Sequence, residues 1–100
     1  MKVTWKGHIV AEAPQDELIS IEGNWYFPPH RVRTEYLQTS PTPYTCPWKG
    51  VCQYWTLEKD GVRSPDTAWS YPKPYPTALT KVGKDFSGYV AFWKDAQVSS

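Results

Sequence analysis

The most reactive side chains of the chain lie together in residues 44–55, which read YTCPWKGVCQYW. This stretch contains both cysteines and two of the six tryptophans. A thiolate is the reactive form of cysteine, and nearby cations or backbone N–H groups favour it. Lys49 follows Cys46 by three residues, and the Pro47–Gly50 segment predicts a turn. Cys46 is therefore a candidate nucleophile or redox group, and the alternative is an unreactive, buried cysteine.

The two cysteines are separated by five residues, a spacing that could form a metal pair or a disulfide. A structural zinc site needs four Cys or His ligands, commonly arranged as two Cys-x-x-Cys pairs. The chain has only two cysteines and two histidines and contains neither pair. A disulfide is disfavoured in a reducing compartment. We therefore expect no metal and no other cofactor.

Two carboxylates extend the set of candidate catalytic groups. Glu35 or Asp66 beside Lys49 would form an acid–base pair. The alternative is an ordinary surface ion pair, worth less than about 1 kcal/mol. No glycine-rich loop of the phosphate-binding type opens a helix, and no spaced carboxylates are arranged for magnesium. The candidate catalytic residues are Cys46, Lys49, Glu35 and Asp66.

Aromatic side chains are the second kind of candidate, because they make up 16% of the chain. Most of them must pack in the core, where they bury the largest area. Some of them could wall a cavity in which a few polar groups orient a ligand: Trp48, Trp55, Trp69, Tyr26, Tyr54 and Tyr71. The polar residues beside these aromatics are Glu22, Asn24, Glu35, Thr45, Lys49 and Asp66. Trp48 is the strongest candidate, because it lies in a predicted turn rather than in a strand. The candidate ligand-binding residues are Tyr26, Cys46, Trp48, Lys49, Tyr54 and Trp69.

These residues must be positioned by short strands, because ten prolines and six glycines divide the chain. Apolar and polar residues alternate over 51–58, which is typical of a half-buried strand. Residues 40–43 predict a loop, because prolines disfavour helix in the residues before them. The pairs Gly23-Asn24 and Asp60-Gly61 predict two-residue hairpin turns.

One short helix is predicted over residues 30–38, where apolar residues four positions apart share a face. A further helical turn is predicted over 77–82. The connections between strands are too short for parallel crossovers, so the strands must be antiparallel. The fold class is therefore mainly β, a single domain over 1–100. It should form a small barrel or sandwich of about seven or eight short strands with the helix near 30–38.

Charge and hydropathy exclude several classes of partner. Eleven basic and ten acidic residues leave a net charge of +1, whereas nucleic-acid binders need a basic surplus. No apolar run approaches the roughly 20 residues that cross a bilayer. The N-terminal MKVTWKGHIV lacks the apolar region and cleavage site of a signal peptide. We expect a cytoplasmic monomer or homodimer with no nucleic-acid or membrane partner.

Several segments together resemble domain-of-unknown-function family 427, which also carries a provisional nucleotidyltransferase label. They are Trp5-Lys6-Gly7, EGNWYFPP from Glu22, TCPWKG from Thr45, Tyr54, DTAWSYPKP from Asp66 and GYVAFWKD from Gly88. They follow in the right order along nearly the whole chain. The resemblance implies a compact bacterial-type protein with a β-tent or Mss4-like fold, an architecture shared with methionine sulfoxide reductase B and with zinc-bearing relatives. His30 departs from the acidic residue that the resemblance implies near the start of the short helix.

These observations favour a small-ligand-binding β domain with an aromatic-lined pocket around the TCPWKG turn. Cys46, Lys49 and Glu35 would supply its polar contacts to an unknown small molecule. One alternative is a small enzyme that uses Cys46 or a carboxylate–lysine pair in the same pocket. Another is a protein-interaction module in which exposed aromatics such as Trp48 form the contact patch.

Overall fold

The computed structural model describes residues 1–100 and is mainly β, as predicted. The nine strands are β1 (Lys2–Trp5), β2 (His8–Glu12), β3 (Ile19–Ile21), β4 (Asn24–Tyr26), β5 (Leu37–Cys46), β6 (Gly50–Lys59), β7 (Val62–Ser70), β8 (Val90–Phe92) and β9 (Gln97–Ser99). Helix α1 spans Pro76–Val82, and three short 3₁₀ turns span Gln15–Glu17, Pro29–Arg31 and Thr34–Tyr36. With only seven residues, α1 is too short to span a membrane, and no other α-helix is present.

The strands form three open sheets in which every neighbouring pair is antiparallel. Their orders are β2-β1-β9, β3-β4 and β5-β6-β7-β8. A bridge between Phe27 and Val90 joins the end of β4 to β8. No sheet closes on itself, so the packed-sheet form of the prediction describes the structure better than the barrel.

Three hairpins turn through a pair of left-handed residues, the second of which is glycine. The pairs are Lys6-Gly7, Glu22-Gly23 and Asp60-Gly61, with φ between 49° and 82° at all six residues. Two left-handed residues give a turn whose twist matches that of the flanking strands. The predicted turn at 60–61 is confirmed, whereas the turn predicted at Gly23-Asn24 lies one residue earlier, because Asn24 already pairs in β4.

The helix predicted over residues 30–38 is wrong. This segment instead contains the 3₁₀ turns Pro29–Arg31 and Thr34–Tyr36, with an extended Val32 between them. Val32 forms a bridge with Ala11 of β2, and Tyr36 is buried against the core. The extended backbone lets both side chains reach that core, and this packing overrides the weak helical pattern.

The helix of the structure lies where the second helical turn was predicted. Proline opens α1 at Pro76, where its missing N–H has no intrahelical partner to lose. Gly83 ends it in the left-handed conformation, with φ 83°.

The loop predicted over residues 40–43 is part of β5, the edge strand of the four-stranded sheet. Its pairing with β6 shifts register between Thr39 and Pro43. An edge strand accommodates proline because one side of its backbone has no neighbour to hydrogen-bond.

The four-stranded sheet separates two hydrophobic cores. In β7 and β8, Ala68 and Phe92 belong to the first core, whereas Trp69 and Ala91 belong to the second. This division follows from the alternation of side chains along a strand. The first core has fourteen buried residues, among them Val3, Trp5, Phe27 and Leu57. The second has ten, among them Tyr26, Cys46, Cys52, Trp69 and Phe86.

Candidate functional site

A pocket of about 180 Å³ lies on the side of the sheet that carries the second core. Six aromatic side chains, one amide and one ammonium line it: Tyr26, Tyr44, Tyr54, Tyr71, Trp69, Trp93, Asn24 and Lys49. We call it the tyrosine pocket. Its volume is below the roughly 300–1,000 Å³ of typical sites for drug-sized ligands, so it admits a molecule of about one ring.

The strand alternation of β6 and β7 builds the wall of the tyrosine pocket. Tyr54 and Trp69 are direct cross-strand partners. Tyr71 lies two residues beyond Trp69 and therefore projects to the same face. Tyr26 approaches from the end of β4, and Trp93 follows β8, with its ring centroid 5.2 Å from that of Trp69.

The tyrosines of the pocket are held as neutral hydrogen-bond donors. The Trp69 indole Nε1–H donates to the Tyr26 hydroxyl at 3.0 Å, which leaves the phenolic proton free to be donated. Burial raises the pKa of Tyr26 to about 12. Burial also raises the pKa values of Tyr71 and Tyr54. At neutral pH the wall therefore presents phenolic O–H groups and no phenolate.

Lys49 supplies the only formal charge among the residues that line the tyrosine pocket. Its side chain is 7% exposed and forms an ion pair with Glu22, whose side chain is 55% exposed. The Lys49 Nζ also lies 4.9 Å from the ring centroid of Trp48 and 5.3 Å from that of Tyr71. The lysine hydrogen bond lowers the pKa of Glu22. Glu22 is therefore ionised at neutral pH, and its ion-pair partner Lys49 is a lining residue of the pocket.

Five of the six predicted ligand-binding residues line one or the other of two neighbouring cavities. Four of the six, Tyr26, Lys49, Tyr54 and Trp69, line the tyrosine pocket. Trp48 instead faces a cavity of about 310 Å³, which we call the Trp48 cavity. Its other lining residues are Ser20, Ile21, Glu22, Lys81 and Val82. The Lys49–Glu22 pair joins the two cavities, because each partner lines one of them.

The two cysteines are packing residues of the second core and lie outside the tyrosine pocket. Both are buried free thiols, and neither lines the tyrosine pocket. Burial raises the pKa of Cys52 to about 11. No histidine lies beside them, because His8 packs against Trp5 and Tyr36 and His30 lies 3.4 Å from Glu17. The geometry supplies no base for a thiol nucleophile.

Neither of the two carboxylates considered from the sequence pairs with Lys49. Glu35 is exposed on the Thr34–Tyr36 turn and has no ion-pair partner. Asp66 accepts hydrogen bonds from the Ser40 and Thr42 hydroxyls of the edge strand, and the Ser40 bond lowers its pKa. The backbone oxygen of Asp66 also accepts the Trp93 indole N–H at 2.6 Å. Asp66 therefore positions the rim of the pocket.

The sequence reasoning reaches only some of the site residues. Tyr71, considered from the sequence as one of the aromatics of a cavity wall, lines the pocket on the same strand face as Trp69. Glu22 is among the polar residues beside those aromatics, but the sequence does not identify it as the partner of Lys49. Tyr44 and Trp93 are half-exposed rim residues from sequence-distant segments, and no local pattern marks them.

No group of three or more His, Cys, Asp or Glu side chains is arranged to hold a metal ion. The tyrosine pocket itself contains phenols and an amide, which both donate and accept hydrogen bonds, and an ammonium, which only donates. The arrangement is suited to a ligand that accepts hydrogen bonds and carries negative charge.

Comparison of the chain with curated proteins found no match. The segments that resemble family 427 are distributed over the whole fold, from Trp5 in β1 to the residues of β8. The family model described as a domain of unknown function (DUF427) matches residues 1–99, and the chain therefore belongs to this family.

Proposed function

We propose that the protein binds a small planar organic anion, a single ring bearing a carboxylate or a similar group, in the tyrosine pocket. The observation that carries the proposal is the buried ammonium of Lys49, which is the only charge among eight lining residues of which six are aromatic. The aromatic faces would hold the ring, and the ammonium would hold the anionic group.

The polar groups that line the tyrosine pocket support a ligand that carries hydrogen-bond acceptors. Hydrogen bonds from an ammonium to a carboxylate are stronger than those between neutral groups. Tyr26 and Tyr71 add phenolic donors, because burial keeps both protonated.

The Lys49 charge argues against a cationic ligand. Aromatic faces also attract cations, and aromatic cages bind quaternary ammonium groups. In this pocket, however, the Lys49 ammonium already lies 5.3 Å from the centroid of the Tyr71 ring. No carboxylate lines the pocket to balance a second cation. A cationic ligand would therefore meet like charge at short range.

Three single-ring probes of different charge test the proposal by calorimetric titration: benzoate, the neutral benzamide and the cationic benzylamine. A ligand of this size that gains about 0.4 kcal/mol per non-hydrogen atom binds with a Kd on the order of 1 mM. Benzoate should bind in this range, benzamide about tenfold more weakly because a charge-assisted hydrogen bond is lost, and benzylamine undetectably.

Two lysine variants connect the binding to the pocket. Lys49→Met should weaken benzoate binding by about tenfold or more, because it removes the cation and keeps a side chain of similar length. Lys59→Met is the matched control, since the Lys59 Nζ also lies over an aromatic ring, that of Tyr36 at 5.8 Å, away from the pocket. Equal binding of benzylamine and benzoate, or unchanged benzoate affinity in Lys49→Met, would refute the proposal.

A further inference from the structure

We propose that Glu22 is a displaceable counter-ion: an anion that enters the tyrosine pocket takes over the Lys49 ammonium, and the Glu22 carboxylate moves to Lys81. The inference rests on the proposed function and adds a regulatory element to the same site. In this scheme Glu22 competes with the ligand inside the molecule and sets the concentration at which the pocket fills.

The two members of the ion pair differ in how firmly they are held. Lys49 is 7% exposed, and its ammonium lies near the rings of Trp48 and Tyr71, so its position is fixed by packing. Glu22 is 55% exposed and lies at the tip of the β3–β4 hairpin. Its carboxylate can leave Lys49 without being buried elsewhere, because solvent already reaches it. The mobile partner is therefore the acid.

A second cation is in place to receive the displaced carboxylate. Lys81 of α1 lines the Trp48 cavity together with Glu22. The Lys81 Nζ lies 4.4 Å from the Trp48 ring centroid, and the Lys49 Nζ lies 4.9 Å from the same ring. The two ammoniums thus flank one indole, and Glu22 borders that indole as well. Transfer of Glu22 from Lys49 to Lys81 is a change of side-chain position within one cavity.

The exchange affects the charge that the ligand meets. While Glu22 holds Lys49, the pair is neutral and the carboxylate repels an incoming anion. When Glu22 moves to Lys81, the N–H groups of the Lys49 ammonium no longer bond to Glu22. They can then donate hydrogen bonds to the ligand or point at the surrounding rings. Ligand affinity is lowered by the free energy of the internal pair, which for a partly exposed pair corresponds to a factor of about five.

The first test titrates benzoate into the wild type and into Glu22→Gln by calorimetry. Removal of the competing charge should tighten binding by about fivefold. Glu17→Gln is the matched control, because it removes one carboxylate from another ion pair, with Arg31, and changes the net charge equally. It should leave benzoate affinity unchanged. Equal or weaker benzoate binding in Glu22→Gln would overturn the inference and leave the proposed function standing.

The second test examines Lys81 as the receiving cation. Lys81→Met should weaken benzoate binding in the wild type, because the displaced carboxylate loses its new partner. The same substitution should have no effect in the Glu22→Gln background, where no carboxylate is displaced. Equal weakening in both backgrounds would show that Lys81 acts on the ligand directly and would remove it from the exchange.

The third test uses the unmodified protein and remains valid if a variant fails to fold. The Lys49 hydrogen bond is the largest effect that lowers the pKa of Glu22, and the Lys81 charge lowers it further. A pH titration that follows the side-chain ¹³C resonance of Glu22 reads out this pKa. Saturation with benzoate should raise this pKa, since the stronger of the two interactions is lost. An unchanged pKa in the saturated protein would contradict the displacement. Absence of benzoate binding in both the wild type and Glu22→Gln would refute the proposed function and this inference together.

Discussion

Truncation of the two partners of the Lys49–Glu22 pair should destabilise the protein unequally, because they are unequally buried. Glu22→Ala leaves an ammonium whose side chain is 7% exposed without its carboxylate. A buried polar group that loses its partner costs about 1–3 kcal/mol. The Trp48 and Tyr71 rings still cover the ammonium and offset part of this. We expect a loss of about 1.5 kcal/mol.

Lys49→Met should cost less than about 0.5 kcal/mol. The remaining Glu22 carboxylate is 55% exposed and can be hydrated in place. The methionine side chain fills the volume of the lysine stem and makes favourable contacts with the same aromatic rings. The loss is then that of an ordinary exposed ion pair.

Urea unfolding of the wild type and the two variants measures the difference, with equal m-values as the check that only stability has changed. Thermal melts should show a Tm about 4–8 °C lower for each kcal/mol lost. Glu58→Ala removes a carboxylate from an exposed pair with Arg63 and serves as the control, with an expected change near zero. A Lys49→Met variant as unstable as Glu22→Ala would refute the reasoning. It would show that the free energy of unfolding depends on the ammonium itself and not on leaving that ammonium without a partner.

Three further predictions concern other parts of the fold. Iodoacetamide at neutral pH should label Cys52 of the native protein far more slowly than a free thiol, because burial raises its pKa to about 11. Mass spectrometry would detect rapid labelling, which would contradict the buried position. Trp5→Phe should cost about 2 kcal/mol in urea unfolding, because Trp5 is fully buried and its indole donates to Ser64 at 2.9 Å. The half-buried Trp55, changed to Phe, should cost less. The Ser40 hydrogen bond lowers the pKa of Asp66 from its ordinary value of 3.8, so its stabilising effect is present above that value. The effect is lost as the pH falls through the lowered folded-state pKa, and the stability difference between the wild type and Asp66→Asn should therefore shrink in acid.

Local signals predicted the parts of the fold that depend on neighbouring residues. The alternation over 51–58 corresponds to β6, and Asp60-Gly61 forms the turn into β7. The segment 30–38 misled the prediction because its spacing of Val32 and Tyr36 also suits two turns around an extended residue. The core contacts that decide between these conformations come from β1 and β2. The sequence of the segment itself contains no pattern that indicates them.

The candidate site was accessible from the sequence only where strand parity builds it. Tyr54 and Trp69 project to one face because of their strands, and alternation predicts this. The partner of Lys49 was not accessible in the same way, since Glu22 is 27 residues away and reaches it only after β3 and β4 have paired. Asp66 and Glu35 were equally plausible acids until the fold placed Asp66 in β7, against the Ser40 and Thr42 hydroxyls, and Glu35 on the exposed Thr34–Tyr36 turn.

The separation of the two cores by one sheet has a consequence for engineering. Positions 54, 69 and 71 line the tyrosine pocket, whereas position 68, which precedes Trp69 in β7, belongs to the first core, which contains the larger set of buried residues. A library that varies every second residue of β6 and β7 would change the ligand preference and leave the main folding core intact. Selection for new binding and selection for thermal stability would then act on different residues of the same two strands.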